Sequence, residues 1–170
     1  MRNLWGRRGV AAGVILVLVL CLTLLAFSAT AGAKTKARPF HGCMYGTVTF
    51  VPSADSPTGM FTISDATGRV SHMGASVLYA LHPSAFDFAG DMTLTAANGD
   101  TIAISYYGGG ALPPSIGDWY DLWSVATIAG GTGRFAHVSG DIDMVVSLQY
   151  MGFGTPVWPA IFEFTGTIRY

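Results

Sequence analysis

The segment Ile128-Ala129-Gly130-Gly131-Thr132-Gly133-Arg134-Phe135-Ala136-His137-Val138-Ser139-Gly140 separates two strand-like runs, Trp119 to Thr127 and Asp141 to Tyr150. Glycine tolerates positive φ and lets a neighbouring backbone come close, so these glycines predict a tight, bulged connection between strands. The segment is not a phosphate loop. It lacks the Lys-Ser/Thr ending that engages phosphate and metal, and no helical pattern follows to lend its dipole.

Outward from this segment the chain reads as strands and turns. Ile142, Met144, Val146 and Leu148 alternate with Asp141, Asp143, Ser147 and Gln149, and Phe162, Phe164, Gly166 and Ile168 alternate with Glu163, Thr165, Thr167 and Arg169. Upstream, Phe86, Phe88, Gly90, Met92, Leu94 and Ala96 share a face opposite Asp87, Asp91, Thr93 and Thr95. Asn98-Gly99 predicts a type I′ hairpin turn, because both residues accept positive φ. The return strand sets Ile102, Ile104 and Tyr106 opposite Thr101, Ala103 and Ser105. Earlier still, Met44 to Val51 and Gly59 to Asp65 read as strands, Ala66-Thr67-Gly68 as a turn, and Arg69 to Leu81 as a longer strand holding His72 and closed by His82-Pro83. Gly108 to Gly117, with Pro113-Pro114, reads as a loop. About eight strands with one apolar face each predict an all-β fold. A closed antiparallel barrel removes the sheet edges most simply, with a β-sandwich as the alternative.

Residues 1–33 are set apart. Arg2, Arg7 and Arg8 precede the apolar run Val10 to Phe27, and Ala31-Gly32-Ala33 has the small-x-small pattern of a signal-peptidase site. A cleaved signal peptide is expected, with an uncleaved membrane anchor as the alternative, since a run of about 18 apolar residues just spans a bilayer. Leu20 is too bulky for Cys21 to be a lipoprotein site. Residues 34–42 read as a basic linker and 43–170 as the folded domain. From Phe40 onward three arginines face ten acidic residues, a net charge of −7, which disfavours nucleic acid and anionic lipid as partners. Loss of the signal leaves Cys43 alone, so no intrachain disulfide is expected even in an oxidising compartment.

Several of these pieces resemble a known family. Gly130-Gly131-Thr132-Gly133-Arg134-Phe135 with Gly140 is similar to the glycine-rich segment of the dirigent and allene oxide cyclase barrel superfamily. Ser71-His72-Met73-Gly74, Asn98-Gly99-Asp100 and Phe164-Thr165-Gly166-Thr167-Ile168 resemble bacterial secreted members of that group. The resemblance spans Cys43 to Tyr170. It implies an eight-stranded calycin-like barrel with an apolar cavity, often assembled as a trimer. Plant members guide radical coupling or cyclise an epoxide in that cavity, using acidic and basic side chains that project inward. No catalytic acid carries over to this sequence.

Candidate site residues follow from the faces. His72 stands beside Gly74, as a neutral base or a structural histidine. Trp119, Asp121 and Trp123 share a face opposite Tyr120 and Leu122. Pointing inward, they would line a cavity with Asp121 as its polar handle; pointing outward, they would form an aromatic patch suited to subunit contact. Tyr106 and Phe162 complete the candidate ligand-binding set. Arg134 is expected to brace the turn, with Asp141 as its candidate partner, and Asp141 and Asp143 to form a solvated face. His41, His72, His82 and His137 are too scattered to indicate a metal site, no cofactor is indicated, and no nucleophile, acid and base set is evident. The leading expectation is an exported barrel that binds a small apolar ligand. The alternatives are a cyclase or isomerase using Asp121 or His72, and a packed structural envelope protein.

Overall fold

The computed structural model describes residues 36–84, 88–111 and 115–170. Eight strands run in chain order: β1 (Arg38–Pro52), β2 (Met60–Val70), β3 (Gly74–His82), β4 (Ala89–Ala96), β5 (Thr101–Gly110), β6 (Trp119–Gly131), β7 (Ser139–Gln149) and β8 (Val157–Arg169). Each pairs antiparallel with its sequence neighbour, and β8 returns to β1 from Arg38↔Ile168 to Thr49↔Val157, which closes the barrel. Closure excludes the sandwich. The one helical element among the described residues is a 3-10 turn, Gly133–Phe135.

Two-residue periodicity dictates the core. Met92, Leu94 and Ala96 of β4, Ile102 and Ile104 of β5, and Ile142, Met144 and Val146 of β7 all point inward and are buried. Burying each of the larger of these side chains contributes about 1.5–3 kcal/mol. The intervening Thr, Ser and Asp residues face out. The predicted signal segment lies outside the described residues, as do Phe86, Asp87, Pro113 and Pro114.

The glycine-rich segment forms the predicted bulge. Ala103 pairs with Gly130 and Ile104 with Ile128, leaving Ala129 as the extra residue on β6. The chain then turns through Gly133–Phe135, and Phe135 is wholly buried. With Phe40, Met73, Val138 and Ile168, also buried, it fills the end of the barrel that holds the β2–β3, β4–β5 and β6–β7 turns.

Four local expectations are corrected. β1 starts at Arg38, inside the stretch read as linker. Ala66-Thr67-Gly68 is not a turn: β2 runs through it, because a Cβ on Gly68 would lie 2.2 Å from the Cys43 carbonyl oxygen and glycine alone lets β1 and β2 coil so tightly. The turn comes at Ser71-His72-Met73, where His72 has φ 66 and Gly74 φ 77, so His72 is a turn residue. The β4–β5 hairpin does turn at Asn98-Gly99, but only Gly99 has positive φ (87). The Gly99 N–H donates to Ala96 O at 2.9 Å and the Ala96 N–H to Asp100 O at 2.9 Å, the pattern of a three-residue loop closed by a left-handed glycine.

Candidate functional site

The opposite end of the barrel is hollow. A cavity of about 330 Å³ opens among the start of β2, β4 and β6 and the end of β1, β3, β5 and β7. Its two walls differ in chemistry. Val48, Phe50, Tyr120, Leu122, Val146 and Phe162 form an apolar wall contributed by β6, β7, β8 and β1. Phe50 is held in place by Trp158, with ring centroids 4.4 Å apart.

The other wall, from β2 to β5, carries the polar groups. Thr62 pairs with His82 and Gly90 with Tyr106, and Leu81↔Asp91 sets His82 level with Gly90. One row around the barrel therefore reads Thr62, His82, Gly90, Tyr106. Because Gly90 has no side chain, the β3 and β5 residues meet over it: a Cβ there would lie 3.2 Å from the Tyr106 hydroxyl. That hydroxyl is hydrogen-bonded to the His82 ring at Nε2 and lies 3.1 Å from Nδ1. Phe88 packs on both, its ring centroid 5.8 Å from each. Ser64 and Ser84 add hydroxyls to the same wall, and the Ser84 hydroxyl donates to Thr58 Oγ1 at 3.3 Å.

Burial sets the protonation of this pair. His82 and Tyr106 are 6% and 4% exposed. Desolvation disfavours imidazolium and lowers the His82 pKa from 6.5 to about 4. It raises that of Tyr106 well above the ordinary value, and the Asp91 carboxylate adds to the rise. Tyr120 on the facing wall is pushed up to about 12, by burial first and by Tyr150 second. All three are neutral near pH 7. No Asp, Glu, Lys or Arg lines the cavity among the described residues. Among those residues, too, no three His, Cys, Asp or Glu side chains come together to hold a metal ion.

Of the four sequence-derived candidates, the cavity brings together Tyr106 and Phe162. His72 lies at the filled end, where its Nε2 is 2.8 Å from Pro39 O and its ring meets Tyr170 edge-on at 5.7 Å. Asp121 points outward and accepts a hydrogen bond from the Ser147 hydroxyl at 2.6 Å. Trp119 and Trp123 share that outer face, 48% and 62% exposed, while Tyr120 and Leu122 turn inward. Neither His72 nor Asp121 is therefore a cavity residue. The turn expected at Ala66-Thr67-Gly68 falls five residues later, on His72 itself, and Asp121 has the outward parity of β6. Arg134 pairs with Asp100 at 3.6 Å, not with Asp141, whose partner is Arg169 at 3.6 Å. The residue that sequence reasoning missed is His82. Its signal was the inward parity of Ser76, Leu78, Ala80 and His82 along β3.

No protein-family model matches the chain, and no curated protein matches it significantly. Among solved structures, one similar fold is the pterocarpan synthase dirigent protein GePTS1, at 17% identity and a TM-score of 0.43 over 84% of this chain and 94% of that one. The barrel assignment rests on the strand pairing of this chain itself: eight antiparallel strands, closed by β1 on β8.

Proposed function

We propose that this is an exported barrel protein of the dirigent and allene oxide cyclase type that binds one small, mostly apolar molecule in the open end of the barrel. The observation that carries the proposal is the cavity. Its volume of about 330 Å³ falls within the range of about 300–1,000 Å³ of small-molecule sites, and apolar walls with a few convergent polar groups are their usual lining. A barrel packed solid, as a purely structural role needs, has no such void. Export is supported by the layout of residues 1–33, and self-association, as a trimer by the resemblance, belongs to the same reading.

The test is a titration of the folded protein with a hydrophobic fluorescent probe. Binding at micromolar concentration is expected, and Val48→Phe, which fills the apolar wall, should weaken it at least tenfold without loss of the folded state. A folded protein that takes up no probe would leave the packed structural role standing instead.

A second reading, as a cyclase or isomerase, is favoured by one observation: a Tyr–His pair set in a site without water-exposed charge can donate or accept a proton at a ligand oxygen. Turnover abolished by both Tyr106→Phe and His82→Phe would separate this role from simple binding.

A further inference from the structure

We infer that the cavity selects an apolar molecule bearing one uncharged oxygen, a carbonyl or a hydroxyl, seated on the Tyr106 hydroxyl, and that it rejects carboxylates. This rests on the ligand-binding reading above and narrows it to a chemical class.

The polar groups of the lining are gathered on one wall. Thr62, Ser64, His82, Ser84 and Tyr106 come from β2 to β5 and the residues just after β3, and face a wall whose one polar atom is the Tyr120 hydroxyl. A ligand that buries most of its surface here must be apolar along its length and polar at one end. Buried polar groups that it left unpaired would count against it.

Tyr106 can serve either oxygen class because its partner is a neutral imidazole. With a proton on the facing His82 nitrogen, that N–H donates to the tyrosine oxygen, and the tyrosine O–H is free to turn to a ligand carbonyl. With that nitrogen bare, the tyrosine O–H donates to it, and the tyrosine oxygen accepts from a ligand hydroxyl. The two states differ only in the tautomer of one ring.

A carboxylate finds no such match. Among the described residues no cation lines the cavity: Arg69 pairs across from Cys43 on the outer face, and Arg134 and Arg169 form ion pairs with Asp100 and Asp141 beside the filled end. The charge behind Tyr106 is Asp91, which is negative, exposed and hydrogen-bonded to Ser105 at 2.6 Å. An anion would enter the cavity desolvated and without a counter-charge.

The experiment uses one scaffold with four heads: naphthalene, 2-acetylnaphthalene, 2-naphthol and 2-naphthoate, titrated at pH 7 against the wild type and Tyr106→Phe. The ketone and the phenol should bind roughly tenfold more tightly than naphthalene, as one good neutral hydrogen bond allows, and the carboxylate more weakly than naphthalene. Tyr106→Phe should bring ketone and phenol to the level of naphthalene while naphthalene itself still binds. If naphthalene binds as well as the ketone and the phenol, the cavity-binding reading stands and this inference falls. Tightest binding of the naphthoate would also overturn it. If none of the four binds to folded wild type, both go together. Should Tyr106→Phe not fold, the wild-type ranking with His82→Phe as second variant decides.

Discussion

The Tyr106 hydroxyl meets the His82 ring over Gly90, so two strands that are not neighbours in the barrel share one hydrogen bond inside it. Residues two strands apart stand too far apart for small side chains to touch. The contact needs a long side chain, a ring to receive it, and a glycine between them. All three are present in one row, and they place the Tyr106–His82 pair on the cavity wall opposite Phe162.

This burial makes the protein acid-sensitive in a defined window. The folded pKa of His82 is about 4 against 6.5 unfolded, so between these values the unfolded chain binds the extra proton. Stability is therefore full above about pH 6.5 and is lost as pH falls toward 4, by at most about 3 kcal/mol. Denaturant titrations of wild type and His82→Gln at pH 7 and pH 4.5 check this. The loss between the two pH values should be smaller in the variant.

A second prediction concerns the closed end. The Asp100 carboxylate accepts from Asn98 Nδ2 at 2.9 Å, stands 3.6 Å from Arg134 Nε, and leaves no room for a side chain on Gly133 (φ 55). The β4–β5 hairpin and the glycine-rich turn are thus clamped by one residue. Asp100→Ala should cost about 1–2 kcal/mol through the loss of these bonds. Asp141→Ala, whose ion pair with Arg169 is exposed, should change stability by under about 0.5 kcal/mol. Thermal melts of the two variants give the comparison.

The glycines should rank by geometry. Gly133→Val combines positive φ with a clash against Asp100, Gly99→Val (φ 87) has positive φ with open space around it, and Gly154→Val has neither. The expected losses are above about 2 kcal/mol, about 1–2 kcal/mol and near zero, and about 1 kcal/mol corresponds to roughly 4 °C in Tm for a domain of this size.

Gly166 has the inward parity of β8 yet leaves no volume inside the barrel. A Cβ there would lie 2.3 Å from Asp141 O and 2.6 Å from Ile142 Cα, so the missing side chain is occupied by the β7 backbone. Even Gly166→Ala should destabilise by about 3 kcal/mol, measurable by urea unfolding.

The alternation of β4, β5, β7 and β8 was legible because one face of each strand meets oil and the other water. That parity alone placed Met92, Ile104, Met144 and Phe162 inside. It failed for β6 near Trp119, where both faces are aromatic and hydrophobicity cannot choose between them. It failed also at Gly68, since a glycine that lets a neighbouring strand approach looks in sequence like one that makes a turn. His82 was hidden for a third reason. Its partner Tyr106 is 24 residues away, and only the register through Gly90 brings the two together.

The most direct test is a crystal structure of the folded barrel soaked with 2-acetylnaphthalene. Ligand density is expected between Phe162 and Tyr106, with the ketone oxygen within hydrogen-bonding distance of the Tyr106 hydroxyl. An interior filled by the protein's own side chains, with ligand bound only against Trp119 and Trp123 on the outer wall, would contradict it.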